Sequence, residues 1–148
     1  MDLNPRGLPQ LLEWVVESDE EFHLQGFTSS TVSVAEAIAL AALYRPEFVE
    51  YEGCVFLGFK FDRGGVDEWL ENQSGDRRAV ESVVNHVHLW DYFPLTSDAE
   101  YAALASLAEE IAAMWRNAVR DAFPGRKFEI AVSDGTGDYG PTLRLVTR

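Results

Sequence analysis

Residues 85–94 hold the densest group of chemically capable side chains in this sequence of 148 residues. Two of the three histidines lie here with a carboxylate, a phenol and an indole; the side chains are His86, His88, Trp90, Asp91 and Tyr92. On a strand, His86, His88 and Trp90 would share one face, and a His-x-His pair can chelate a metal. On a helix the two imidazoles would point about 200° apart and could not share an ion. The sequence leaves both backbone geometries open.

A metal site in this segment needs more ligands than the neighbouring sequence supplies. A divalent ion takes three or four ligands, and the nearest additions to the two histidines are Asp91 and the distant His23. No cysteine pair and no His-Glu-x-x-His helix is present. We therefore predict no metal and no other cofactor, and we interpret the segment as a candidate surface for a partner or ligand. In the alternative interpretation, one imidazole is a hydrogen-bonded core residue and Asp91 anchors the loop.

Fingerprints of nucleophilic catalysis are missing from the sequence. It has neither a Gly-x-Ser-x-Gly elbow nor a cysteine-protease signature. The glycine-rich residues 134–140 lack EF-hand spacing and the lysine of a phosphate-binding loop, so they are predicted to be a hairpin loop. No catalytic residue is assigned. A small hydrolase or metal-assisted enzyme that uses His86, His88 and Asp91 is kept as an alternative function.

Acidic side chains outnumber basic ones by 25 to 12, for a formal net charge of −13. Residues 1–53 hold ten acids and two bases, residues 54–100 nine and four, and residues 101–148 six of each. Such a field repels nucleic acid and anionic membrane and attracts cationic partners. We therefore predict a basic protein as the partner, with no nucleic acid and no membrane. The candidate acidic patch consists of Asp19, Glu20, Glu21, Glu47, Glu50 and Glu52.

These features favour a non-catalytic cytoplasmic protein-binding domain, similar in role to an inhibitor, an immunity protein or an adaptor. Bacterial inhibitors and immunity proteins of nuclease toxins share the small size, acidity and mixed fold; the comparison is one of class, without a shared motif. The single cysteine, Cys54, excludes an internal disulfide and suits a reducing compartment. No signal-peptide pattern opens the chain. A further alternative is a homodimeric structural domain that uses residues 55–61 and the four tryptophans as its interface.

Local patterns predict most of the secondary structure. Pro9 begins a helix over about residues 9–17, although residues 14–16 could also form a strand. The alternation in residues 22–27 indicates a strand. A capping box of Ser33 and Glu36 opens a helix that is apolar on almost every side, and we expect such a helix to be buried all round. A second capping box, of Ser97 and Glu100, opens the longest helix.

The remaining segments complete a mixed architecture. Residues 54–61 are apolar on both faces and predict a central strand, residues 76–87 predict a helix, and residues 128–132 and 143–145 predict a hairpin. We therefore expect one globular α+β domain over residues 1–148. Its antiparallel sheet has about four to five strands backed by three to four helices, and it ends in a long helix and a C-terminal β-hairpin.

Overall fold

A computed structural model of the chain describes residues 7–19, 21–136 and 139–148. Six helices and five strands lie within these residues. The helices are α1 (Pro9–Ser18), α2 (Leu24–Thr31), α3 (Val34–Tyr44), α4 (Arg63–Asn72), α5 (Arg77–Val84) and α6 (Asp98–Ala122). The strands are β1 (Phe48–Tyr51), β2 (Cys54–Leu57), β3 (His86–His88), β4 (Phe128–Ser133) and β5 (Thr142–Thr147).

The strands form two antiparallel sheets. β1 and β2 make a hairpin, and its turn at Glu52 and Gly53 has positive φ angles of 50° and 80°. β3, β5 and β4 make the second sheet in that order, with β5 in the centre. The predicted α+β class, with a long helix followed by a C-terminal hairpin, is confirmed. The predicted sheet of about four to five strands is wrong in its strand count, since the described strands divide into sheets of two and three. The described residues also form six helices, where three to four were predicted.

Two buried side chains of α5 and its C-cap explain why the sheets stay separate. The amide of Asn85 donates hydrogen bonds to the carbonyls of Val55 on β2 and Leu145 on β5, at 2.8 and 3.1 Å. The carboxylate of Glu81 accepts from the N–H of Val55 at 2.7 Å and from the N–H of Thr147 at 2.6 Å. Because buried backbone groups need partners, these side chains satisfy the two strand edges that would otherwise pair with each other.

The main core lies between α6 and the three-stranded sheet. Trp115 is fully buried, and its indole N–H donates to the carbonyl of Leu43 at 2.7 Å, which fastens the end of α3 to α6. Around it lie Leu57, Val87, Leu89, Leu104, Ala108, Ile111, Leu143 and Leu145. A smaller core of Cys54, Phe56, Val66 and Val80 lies under the β1–β2 hairpin. Burial raises the pKa of the Cys54 thiol, as suits a packing residue.

Residues 22–27 do not form the predicted strand. Helix α2 begins at Leu24, and Nδ1 of His23 caps it by accepting the N–H of Gly26 at 3.0 Å. The rings of Phe22 and Phe27 lie 6.2 and 6.1 Å from the ring of Trp14 on α1. The apolar residues of this segment therefore build an aromatic cluster with α1, and this tertiary contact overrides the alternating pattern.

Helix α3 forms where it was predicted, but its environment was predicted wrongly. Ser33 and Glu36 make both hydrogen bonds of the capping box. The expectation of burial all round is contradicted, because Leu43 is its only buried residue while Val34 and Ile38 are 77% and 66% exposed. In the described parts of the chain no single helix is long and apolar enough to cross a membrane, and α2 with α3 passes that test only as a pair bent by 113°.

Candidate functional site

The histidine segment is a strand followed by a single 3₁₀ turn. β3 covers His86–His88, and the turn covers Leu89–Asp91. Since side chains alternate along a strand, His86 and His88 share one face, and their ring centroids are 4.5 Å apart. Nδ1 of His88 lies 3.1 Å from the carbonyl oxygen of Tyr139, so this nitrogen carries the proton when the two are hydrogen bonded.

Trp90 lies in an aromatic cluster beside the histidines. Its ring packs edge-on against the rings of Tyr101 and Tyr139, with centroids 4.8 Å away in both cases. Gly140 lies so close to the indole that a Cβ at this position would overlap it. The indole N–H is buried and has no hydrogen-bond partner among the described residues. An unpaired buried donor costs about 1–3 kcal/mol, so the packing of the three rings has to offset that cost.

The Tyr92 ring makes its contact outside this cluster, and the Asp91 side chain faces solvent. Asp91 is exposed, and the Tyr92 ring contacts Phe59 with a centroid distance of 6.1 Å. Burial, with a smaller effect of the Asp91 charge, raises the pKa of the Tyr92 phenol. The structure therefore brings His86, His88 and Trp90 to one part of the surface, while the contacts of Tyr92 lie on the side of Phe59.

This segment offers few side chains that could bind a metal ion. Within the described residues no three His, Cys, Asp or Glu side chains lie together in a way that could hold a metal ion. Two adjacent imidazoles can exchange a proton or hydrogen-bond a polar ligand, and tyrosine and tryptophan rings beside them offer flat apolar contact. This chemistry suits recognition of a polar or aromatic group by His86, His88 and Trp90.

The candidate acidic residues lie in two separate parts of the chain. Glu47, Glu50 and Glu52 belong to the β1–β2 hairpin, where Arg126 pairs with Glu50 at 2.9 Å. Asp19 and Glu21 are exposed in the connection between α1 and α2, and Glu20 lies outside the described residues. Glu50 is therefore neutralised by the chain's own Arg126, which weakens the attraction of this group of acids for a basic partner.

A cleft of about 540 Å³ lies between α1 and the end of α2. Its α1 wall consists of Gln10, Glu13, Trp14 and Glu17; Phe27, Thr31 and Val32 complete the lining. Within the described residues, the carboxylates of Glu13 and Glu17 make no hydrogen bond or ion pair, and the cleft is lined by no basic side chain. Among the described residues, the cleft therefore combines two carboxylates that have no cationic partner with two aromatic rings.

Contacts on both sides hold the walls of this cleft in place. The indole N–H of Trp14 donates to Oγ of Ser30 on α2 at 2.9 Å. The amide of Gln10 donates to the carboxylate of Glu100 on α6. Hydrogen bonds from Gln10 and Thr96 lower the pKa of Glu100 to about 2, so this carboxylate is ionised at neutral pH.

This cleft is not among the sites predicted from the sequence, although its signal is present there. Glu13, Trp14 and Glu17, with Gln10, follow the spacing i, i+3, i+4 and i+7, which places them on one face of a helix. Residues 22–27, which include Phe27 of the opposite wall, were predicted to form a strand, so no partner for that face could be inferred. Comparison of the chain with protein-family models, curated proteins and solved structures finds no match.

Proposed function

We propose that this chain is a non-catalytic protein-binding domain that recognises a basic partner, with a lysine or arginine side chain of that partner in the α1–α2 cleft. The observation that carries the proposal is the lining of the cleft. No lysine or arginine is among the described residues that line the cleft, where Glu13 and Glu17 lie with Trp14 and Phe27. Carboxylates attract a cation, and aromatic rings stabilise it further by about 0.5–2 kcal/mol.

The charge of the whole chain supports the same choice of partner. A net charge of −13 steers a basic protein towards the surface and repels nucleic acid. The electrostatic field of the net charge acts over the whole surface, whereas the cleft is a defined pocket with apolar walls. Long-range charge sets the rate of encounter, and the cleft sets where the partner's cation docks.

Binding of short labelled peptides rich in lysine and arginine, measured by fluorescence anisotropy, tests this assignment. Neutral peptides of the same length provide the baseline. For the peptide with the highest affinity, the double variant Glu13→Gln, Glu17→Gln is expected to weaken binding at least about tenfold, since both attractive charges leave the cleft. Raising NaCl from about 50 to about 300 mM should also weaken binding of the unmodified chain.

The matched control is the double variant Glu68→Gln, Glu71→Gln on α4. Both residues are exposed, so this variant removes the same two charges far along the chain from the cleft residues. We expect its affinity to stay within about threefold of the unmodified chain. Equal losses of peptide affinity in the two double variants would show that net charge alone attracts the peptide. The cleft assignment would then be abandoned, as it would be if no basic peptide bound better than the neutral ones.

A further inference from the structure

The three-stranded sheet has one face against α6 and one face turned away from it. Val87 of β3 and Leu143 of β5 pack in the main core. Because side chains alternate along a strand, His86, His88 and Arg144 lie on the opposite side, which we call the outer face. Arg144 is exposed and both imidazoles are half-buried. This part of the outer face is therefore open to solvent.

The register of the sheet brings these three nitrogen-bearing side chains together. Arg144 on β5 lies directly opposite His86 on β3, so their Cβ atoms are about 4.5–5.5 Å apart. The rings of His86 and His88 are neighbours, with a centroid distance of 4.5 Å. On the other side of Arg144, Ala131 of β4 adds only a methyl group. Two imidazoles and one guanidinium therefore form one patch, the histidine–arginine patch of His86, His88 and Arg144.

No carboxylate of the described residues pairs with Arg144. Its guanidinium makes no hydrogen bond or ion pair within the described parts of the chain. Glu129, the acid of β4 on the same face, already accepts from Arg78 at 3.0 Å and pairs with Arg148 at 3.5 Å. Residues 101–148, which supply β4 and β5, hold six acids and six bases, so the acidic excess lies elsewhere in the chain. The guanidinium of Arg144 is therefore available to an anion from outside.

The hydrogen bond of His88 decides when its ring can bind an anion. Nδ1 lies 3.1 Å from the carbonyl oxygen of Tyr139, and because a carbonyl only accepts, Nδ1 carries a proton. In the neutral ring Nε2 then has a lone pair, which repels an oxyanion. In the protonated ring Nε2 is a donor and the ring carries a positive charge. Binding of an anion at Nε2 is therefore coupled to the uptake of one proton.

We propose that the histidine–arginine patch binds a phosphate-type dianion, with the guanidinium of Arg144 and the protonated ring of His88 as its main donors. The planar guanidinium offers two parallel N–H groups that match two oxygens of a phosphoryl group. A dianion has charge for both cations, whereas Arg144 alone neutralises a single carboxylate. The patch lies outside the α1–α2 cleft, and this site does not rest on the binding of a basic partner.

The net charge of −13 restricts the patch to a small ligand. At physiological ionic strength charges are screened beyond about 8 Å, so a small anion is affected mainly by the patch itself. A nucleic acid would extend over the acidic rest of the chain and be repelled. The Tyr139 ring is 63% exposed, with its centroid 5.9 Å from that of His88, and offers a flat contact for an aromatic group. Free phosphate and an aromatic phosphate ester are thus two sources of the same anion.

Binding should depend on pH through the imidazoles. Among the described residues, the titratable and charged side chains on this face and in the turn and loop beside it are Arg144, Glu129, Arg78, Arg148, Asp91, Asp134 and Tyr139. Glu129 is paired with arginines, and the Asp134 carboxylate accepts from Thr136. Imidazoles gain their charge below about pH 6.5, so the affinity for a dianion should rise as the pH falls through this range.

Nuclear magnetic resonance of the three histidine rings tests the proposal, with sulfate as the probe because it stays a dianion over this pH range. At about pH 6 sulfate should shift the resonances of His86 and His88 and leave that of His23, at the N-cap of α2, unchanged. Its affinity should fall at least about tenfold at about pH 8, where the rings are neutral. Since proton and anion bind together, sulfate should also move the titration midpoint of His88 upward by at least about half a pH unit.

Two substitutions separate the roles in the patch. Arg144→Gln should weaken sulfate binding at least about tenfold, since it removes the two-pronged donor. The matched control Arg116→Gln removes the same charge from an exposed position of α6, the helix on the other face of the sheet, and should change the affinity by no more than about twofold. His88→Gln does not titrate, so the dependence on pH should shrink to about threefold or less. Circular dichroism melting checks that all three variants remain folded.

Inorganic phosphate and phenyl phosphate distinguish the two sources of the anion. At least about threefold tighter binding of phenyl phosphate would assign the site to an aromatic phosphate ester, and equal binding would assign it to free phosphate.

Three results would overturn the proposal. The first is that sulfate, phosphate and phenyl phosphate all leave the resonances of His86 and His88 unchanged. The second is an equal loss of sulfate affinity in Arg144→Gln and Arg116→Gln. The third is binding of Zn²⁺ by the two histidines, with no binding of sulfate, which would assign the patch to a metal. None of these results alters the peptide-binding test of the α1–α2 cleft.

Discussion

At the residue scale, Asn85 illustrates how one side chain can replace a strand pairing. It is fully buried at the end of α5. Its amide accepts the N–H of Leu57 at 2.9 Å and donates to the carbonyls of Val55 and Leu145. Both ends of the amide are therefore used, and the geometry fits the donor and acceptor pattern of asparagine alone. An apolar residue of similar volume would leave three buried backbone groups without partners.

Asn85→Ala should therefore destabilise the fold strongly. We expect the free energy of unfolding to fall by about 2–4 kcal/mol, since the cost of unpaired buried groups adds to the lost volume. Urea denaturation followed by circular dichroism measures it. Asn72→Ala, at an exposed position on α4, should change the free energy by no more than about 0.5 kcal/mol. A similar small effect at Asn85 would contradict the role of its amide in joining the sheets.

Gly140 supports the aromatic cluster in a different way. It has a φ of 73°, and a Cβ would overlap the Trp90 indole. Gly140→Ala should therefore cost the strain of a positive φ, about 1–2 kcal/mol, and in addition about 1–3 kcal/mol of overpacking. Gly75 has nearly the same φ, 78°, and open space around the position of a Cβ. Gly75→Ala should therefore cost the strain alone.

Thermal or urea unfolding of both glycine variants separates the two contributions. The difference between Gly140→Ala and Gly75→Ala measures the overlap with Trp90. Tryptophan fluorescence should change only in Gly140→Ala. Equal destabilisation by the two substitutions would mean that the ring of Trp90 moves away without cost, and the cluster would then be loosely packed.

At the element scale, the attachment of α1 to α6 depends on one carboxylate. Glu100 accepts hydrogen bonds from Gln10 on α1, from the N–H of Thr96 at 2.6 Å and from the Thr96 hydroxyl at 2.8 Å. These donors lower its pKa from 4.5 to about 2. Since α1 buries none of its residues, polar contacts of this kind matter more for its position than they would for a core helix.

Acid should therefore loosen α1. A carboxylate whose pKa is lower in the folded chain stabilises the fold fully above its ordinary value of 4.5, and the contribution is lost as the pH falls towards 2. Urea unfolding measures the difference in stability between the unmodified chain and Glu100→Gln. This difference should be largest at about pH 6 and smaller at about pH 2.5.

The control for this experiment is Glu109→Gln on the same helix. Glu109 is exposed and accepts no hydrogen bond from the described residues, so its substitution should have a small effect at every pH. Hydrogen exchange of the α1 amides should become faster in Glu100→Gln and stay unchanged in Glu109→Gln. A pH-independent difference between Glu100→Gln and the unmodified chain would contradict the proposed role of its ionised form.

At the scale of the whole molecule, the charge of the chain makes the proposed cleft binding depend on salt. The cleft acts through Glu13 and Glu17, so screening weakens its attraction for a basic peptide. The net charge of −13 steers a basic partner towards the surface, and salt weakens that steering as well.

The sequence by itself determined the features that depend on near neighbours. The capping box of Ser33 and Glu36, the long helix α6 and the hairpin of β4 and β5 all follow from residues a few positions apart. The acidity of the first half and the burial of Cys54 were also predictable, the first from composition and the second from its apolar neighbours.

Only the tertiary structure decided which surfaces meet. The apolar pattern of α3 predicts burial, but whether another element covers it depends on the whole arrangement, and here only Leu43 is covered. Residues 22–27 alternate like a strand, yet contacts with Trp14 favour a helix. The cleft beside Glu13 and Glu17 exists because α2 packs against α1. Burial and pocket formation arise from contacts between residues distant in the chain, and a local pattern does not specify those contacts.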